Sequence, residues 1–171
     1  PVSFANPDDA CLRALLDRVK TIAVVGLSPQ PARPSYWVSQ AMQRYGYRIV
    51  PVRPLVDEVL GEKAYARLAD IPFAVDLVNV FRAAGHVPAI VEQCLALHSL
   101  HRPFSTVHPL PTAIWIQEGI VHEDAAQRAQ AGGLTVVMDR CLPQDYITLN
   151  TRSLPPPSFH SISPLLPPCA P

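Results

Sequence analysis

Five short apolar runs, at 21 to 26, 48 to 52, 75 to 81, 113 to 117 and 134 to 138, alternate with stretches whose apolar residues recur at helical spacing. A strand that is apolar at nearly every position is buried on both faces, and strands separated by helices are joined by crossovers that leave them parallel. The chain is therefore expected to form an α/β fold, a doubly wound parallel sheet of about five strands, Rossmann-like, with helices on both sides. The helices are predicted over 8 to 19, 35 to 45, 86 to 98 and 122 to 131, with a short one around 62 to 68. In the first, Leu12, Leu15, Leu16 and Val19 share one face behind Asp8 or Asp9 at its start. Gly46 and Gly132-Gly133 stand where helices end and need no functional explanation.

A length of 171 residues suits one domain with a full core and a tail. The domain is expected over 1 to 149, with an inserted surface loop at 99 to 112 that is much longer than the roughly 2 to 6 residues usual between a helix and a strand. From Asn150 to Pro171 the chain is rich in Ser and Pro, with Arg152 its only charge, and is expected to be disordered or draped over the domain. Pro155-Pro156-Pro157 is read as part of that irregular tail rather than as a ligand for an aromatic groove.

Positive and negative charges balance at 14 each, so no overall basic field recruits nucleic acid. No apolar run approaches the roughly 18 residues that cross a bilayer, and no membrane association is expected. Cys11, Cys94, Cys141 and Cys169 form no C-x-x-C pair, which argues against a zinc ribbon or a dithiol redox motif and for separate reduced thiols. The N-terminus lacks the basic then apolar layout of a signal peptide, so the expected location is cytoplasmic.

The most informative turn is Gly26-Leu27-Ser28-Pro29-Gln30-Pro31-Ala32-Arg33-Pro34-Ser35, between the first strand and the helix after it. Such a junction aims backbone N–H groups and a helix N-terminus at whatever lies above the strand, which suits a phosphate. The dinucleotide fingerprint G-x-G-x-x-G is not met, since only its first glycine is present. Ser28 offers a hydroxyl, Arg33 a fork of donors, and Ser35 an N-cap. The second strand ends in Val52-Arg53-Pro54, where an NAD site would carry an acid for the ribose hydroxyls, so Arg53 favours a ribose bearing a phosphate. That fits the 3′-phosphate of coenzyme A, or less well the 2′-phosphate of NADP. Phe81 and Arg82 end the third strand, and Gln117, Glu118, Gly119 and Ile120 the fourth, on the edge where open parallel sheets bind ligands.

Several motifs, in order, carry a family resemblance: Val-Val-Gly-Leu-Ser-Pro with Arg33-Pro34-Ser35-Tyr36, then Tyr47-Arg48-Ile49-Val50-Pro51-Val52, Val59-Leu60-Gly61-Glu62, Val80-Phe81-Arg82, Trp115 to Ile120, and Val137-Met138-Asp139-Arg140-Cys141-Leu142. From Ile22 to Leu142 the chain resembles the small CoA-binding, Rossmann-type proteins, related in fold to the nucleotide domain of the succinyl-CoA synthetase alpha subunit. The resemblance implies coenzyme A, or an acyl-CoA, held at the strand ends by the first loop and by the turns after strands two, three and four. Arg53-Pro54 stands where the family usually has Asn-Pro, and neither the insertion nor the tail has a recognised counterpart.

No base and nucleophile set is evident, so enzymatic activity stays open and binding without chemistry is favoured. His98, His101 and His108 lack a nearby Cys or carboxylate to complete a metal site. His122 reads as a polar helix start, and Asp139-Arg140 beside Cys141 as a structural ion pair. The expected partner is a small-molecule nucleotide cofactor, with room for an unidentified protein partner. The alternatives are an NADP-dependent oxidoreductase, for which no hydride-transfer residue is found, and a ligand-free interaction protein.

Overall fold

The computed structural model describes residues 4 to 99 and 111 to 151. Its elements are α1 (Asp9–Arg18), β1 (Thr21–Val25), α2 (Pro34–Arg44), β2 (Arg48–Val52), β3 (Glu58–Val59), β4 (Glu62–Lys63), β5 (Leu77–Val80), α3 (Val87–Ser99), β6 (Ala113–Ile116), α4 (Glu123–Ala131), β7 (Thr135–Met138) and α5 (Leu142–Thr151). Single turns of 3-10 helix cover Leu68–Asp70 and Ala84–His86. The main sheet has the order β2-β1-β5-β6-β7 and every pair in it is parallel. This is the doubly wound, Rossmann-like sheet expected from the alternation of apolar strands and amphipathic helices.

Both sheet faces are buried, which is why the strands read as unbroken apolar runs. Ile22 and Val24 of β1 join Trp115 and Val137 in a core shared with Leu12 and Leu16 of α1, Met42 of α2 and Leu149 of α5. Ala23 of β1 faces the opposite side, with Ile114, Ile116 and Val136, and packs with Val91 and Cys94 of α3 and Ala126 of α4. Asp8 caps α1 by accepting the Cys11 N–H at 2.8 Å. α2 closes with the Gly46 N–H on Gln43 and the Tyr47 N–H on Met42, a Schellman pattern.

The sheet edges are covered by short contacts that limit further strand pairing. On β7, Asn6 uses both ends of its amide, donating to Met138 O at 2.9 Å and accepting the Met138 N–H at 2.8 Å. On β2, Tyr65 donates its N–H to Pro51 and accepts that of Arg53.

Two local expectations are corrected. The stretch 62 to 68 is not a short helix: β3 and β4 form a hairpin, Tyr65 bridges to Val52, and one 3-10 turn follows from Leu68. Leu60 and Gly61, with φ of +56° and +75°, build the two-residue turn whose twist suits a hairpin, and this pairing overrides the helix-forming residues Glu62 to Leu68. α5 was not expected at all, and it carries the chain through Asn150 to Thr151. The segments 100 to 110 and 152 to 171, with His101, His108 and most of the expected insertion and tail, lie outside the described residues. Among the described residues no helix is long and apolar enough to cross a membrane.

Candidate functional site

The chain leaves β1 through Gly26, at φ +90°, with its N–H donated to Val52 O at 2.9 Å. A Cβ there would lie 2.9 Å from the Phe81 carbonyl oxygen and 3.1 Å from Arg82 Cδ, so both the backbone angle and the approach of the β5 end exclude a side chain. Leu27 is fully buried and anchors the loop in the core shared by α1, α2 and α5. Beyond it the loop is folded onto itself: the Ser28 N–H donates to Ser35 Oγ at 3.0 Å, the Gln30 N–H to Ser28 Oγ at 3.2 Å, and the Arg33 N–H to Gln30 O at 3.0 Å. The N–H groups of Leu27 and Ser35 remain without an acceptor among the described residues.

Ser35 is therefore not the N-cap that its position suggested. α2 starts at Pro34, Arg33 is the cap residue but its side chain makes no capping bond and donates instead to Gln30 Oε1 at 3.5 Å, and Ser35 sits inside the first turn with its hydroxyl facing back to Ser28. Proline suits the first helical position because its fixed φ is already helical and its missing N–H would have no partner there.

Two cavities adjoin this junction and share Gly26 and Arg53 in their walls. One, of about 370 Å³, is bounded by Ser28, Gln30, Arg33, Ser35 and Phe81 on the α2 side. The other, of about 230 Å³, is bounded by Val52, Pro54, Arg67, Arg82 and His86 on the α3 side. The chain runs from β1 outward to β2 and returns to β5 on the other flank of β1, so the strand order reverses here. Such a switch point, at the carboxyl ends of parallel strands, is where this class of sheet opens a crevice. Arg33 is exposed and Arg53 half-buried, with no carboxylate bonded to either among the described residues.

The end of β6 is built differently. Gln117 is 4% exposed and its Nε2 donates to Oδ1 of the equally buried Asn79 on β5 at 2.9 Å. The Gly119 N–H donates to Asp139 Oδ1 at 2.7 Å, and the Ile120 N–H to Gln117 O at 3.1 Å. Glu118 is exposed. These four form a separate turn on the same sheet edge and line neither cavity.

Arg140 pairs with Asp145 of α5, through two bonds of 2.7 Å, and not with its neighbour Asp139, whose carboxylate holds Gly119. Burial pushes the Cys141 thiol above its ordinary pKa, which works against a thiolate nucleophile. His122 Nδ1 accepts the Ala125 N–H and caps α4. His98 Nδ1 lies 3.1 Å from Pro111 O.

The sequence reading did not select Arg67 and His86 as site residues. Arg67 lay in the stretch read as helix, and the Leu60-Gly61 turn was the signal that would have brought it beside β2. His86 reaches the cavity because the 3-10 turn Ala84–His86 leads into α3 above β5.

Comparison with known proteins gives this geometry a family. A protein-family model described as a CoA binding domain matches residues 20–145. The chain is 43% identical over 137 residues to the uncharacterized protein YneT of Bacillus subtilis (strain 168), covering 80% of this chain and 93% of that one. It is 31% identical over 77 residues to acetate–CoA ligase [ADP-forming] II of Archaeoglobus fulgidus, a match to 44% of this chain and only 11% of the ligase. The solved structure of cell-free ID.343 from Thermus thermophilus superposes with a TM-score of 0.73 at 34% identity, covering 84% of this chain and 99% of that one. The chain belongs to the CoA-binding domain family.

Proposed function

We propose that the chain binds coenzyme A or an acyl-CoA, without chemistry of its own, at the carboxyl end of the parallel sheet. The observation that carries this reading is the pair of adjoining cavities at the strand-order reversal, with Gly26 and Arg53 in both walls. The prefolded loop from Gly26 to Ser35 faces the pyrophosphate, with the unspent N–H of Ser35 as a donor and the positive end of α2 behind it. Arg33 and Arg53 neutralise phosphates, and Phe81 and Arg82 border the adenosine. Glu118, Gly119 and Ile120 flank the pantetheine arm one turn further along the edge, and Gln117 supports that turn from below through Asn79. Pro54 and Val52 form the wall under Arg53.

A cofactor so bound makes the protein a carrier, a sensor or an inhibitor by occupancy, in each case through a protein partner. The three cysteines among the described residues are unpaired, in keeping with a cytoplasmic setting. Calorimetric titration with coenzyme A, acetyl-CoA and NADPH tests the reading. It expects saturable binding of the first two that weakens about tenfold or more on Arg33→Ala, the range of a lost charge-assisted phosphate contact. Binding of NADPH alone supports an oxidoreductase instead, and no binding at all supports an interaction protein.

A further inference from the structure

Large apolar side chains stand exposed on α2, its cap and the neighbouring α5: Trp37 at 48%, Tyr45 at 37% and Ile147 at 42%. Trp37, Ala41 and Tyr45 recur every four residues, so they share one stripe along α2. The stripe continues onto α5, because the Tyr45 ring stacks on Tyr146 with centroids 4.3 Å apart and planes at 17°. Tyr47 meets Tyr146 edge-on at 5.9 Å, which fixes the stack. From Trp37 to Tyr45 the helix rises about 12 Å, so the aromatic surface is long as well as rigid.

α2 follows β1 and α5 follows β7 of a parallel sheet, so both helices run from its carboxyl edge to its amino edge. Residues 152 to 171 therefore leave the domain at the Tyr45 end of the stripe, one helical turn past Ile147. Their composition suits an aromatic surface. Of these 20 residues seven are proline, at 155 to 157, 164, 167, 168 and 171, and Arg152 is the only charge. Proline lacks the N–H that helices and sheet ladders use, and favours the polyproline II ridge that aromatic grooves bind at low entropic cost. At about 3.1 Å per residue, four residues of such a ridge match the rise from Tyr45 to Trp37.

We propose that residues 152 to 171 bind back onto the aromatic stripe of α2 and α5, as a tethered polyproline-type ligand running from Tyr45 towards Trp37. The tether gives this segment a high effective concentration that a second copy of the chain lacks, and the bound segment shields the stripe from such a copy. The sequence reading of Pro155-Pro156-Pro157 as an irregular tail had no such surface to set against it, since only the packing of α2 on α5 creates it.

The test uses the full chain, whose two tryptophans report separately: Trp115 is fully buried and Trp37 lies in the stripe. Acrylamide quenching is compared between wild type and a variant carrying Pro155→Ser, Pro156→Ser, Pro157→Ser and Phe159→Ser, with molar mass read by light scattering. The expected result is a monomeric wild type and a quenching constant about twofold or more higher in the variant, as an indole loses its cover. In a second, surface variant, Trp37→Ala, the amide signals of Phe159 and Ile162 should move towards those of the free peptide 152 to 171. Equal quenching in wild type and tail variant, or tail signals in wild type that coincide with the free peptide, overturns the proposal. A dimeric wild type whose quenching falls as protein concentration rises assigns the stripe to a second copy and overturns it as well.

Discussion

The backbone N–H of Ser28 donates to the hydroxyl of Ser35 at 3.0 Å, tying the exit from β1 to the first turn of α2. Both residues are buried, so the bond has no water to replace it. Ser35→Ala is expected to cost about 1–2 kcal/mol, the penalty for leaving a buried amide unpaired. Urea unfolding should show a lower midpoint at unchanged slope, and Ser35→Thr should keep most of the stability.

Gly26→Ala should be more damaging than an exposed glycine substitution. The new methyl group meets a backbone oxygen, Phe81 O at 2.9 Å, which cannot rotate away, and φ of +90° is strained for alanine. The expected cost is about 1–3 kcal/mol, read as a fall in thermal midpoint, with cofactor binding weakened because β5 is pushed off β1.

Asn79 and Gln117 satisfy each other in the core beneath the β6 turn. Either Asn79→Ala or Gln117→Ala should cost about 1–3 kcal/mol by stranding the surviving amide. The double variant should lose less than the two costs combined, with a coupling of about 0.5 kcal/mol or more in a double-mutant cycle.

Tyr47 donates its hydroxyl to Leu16 O at 2.9 Å, and burial, followed by the nearby Tyr146 and Asp17, pushes its pKa up to about 12. The folded state therefore holds this proton more tightly than the unfolded chain, where a tyrosine titrates near 10. The Tyr47 contribution to stability is fully present below pH about 10 and is lost as pH rises towards about 12, because only the unfolded chain gains from ionising. Burial pushes the Cys94 thiol up to about 12 as well, so the fall begins near pH 9. Tyr47→Phe should flatten the upper part of this decline in pH-dependent unfolding, and should leave the part due to Cys94.

The sheet was legible because burial on both faces writes itself into every strand, as at Ile22, Ala23 and Val24. The turn from Gly26 to Ser35 was legible as a strand-to-helix junction because a strand end, a glycine and a helix start are local features. What was lost depended on tertiary pairing. Glu62 to Leu68 has helical composition, and only the Leu60-Gly61 turn and the bridge from Tyr65 to Val52 make it extended. α5, absent from the expected elements, carries Pro143 in its first turn, where a helix tolerates proline. Arg140 was assigned to its sequence neighbour because its true partner, Asp145, lies on that unseen helix. Arg67 and His86 come to the cavity through contacts that no local pattern encodes.

The most direct test of the central claim is an amide NMR titration of the protein with coenzyme A. The account expects the largest shifts at Leu27, Ser28 and Ser35, whose N–H groups line or adjoin the cradle, with smaller ones at Arg53 and Arg82. Shifts confined to other parts of the molecule, such as the His98 and Gly132 side of α3 and α4, or no shifts at saturating coenzyme A, would contradict it.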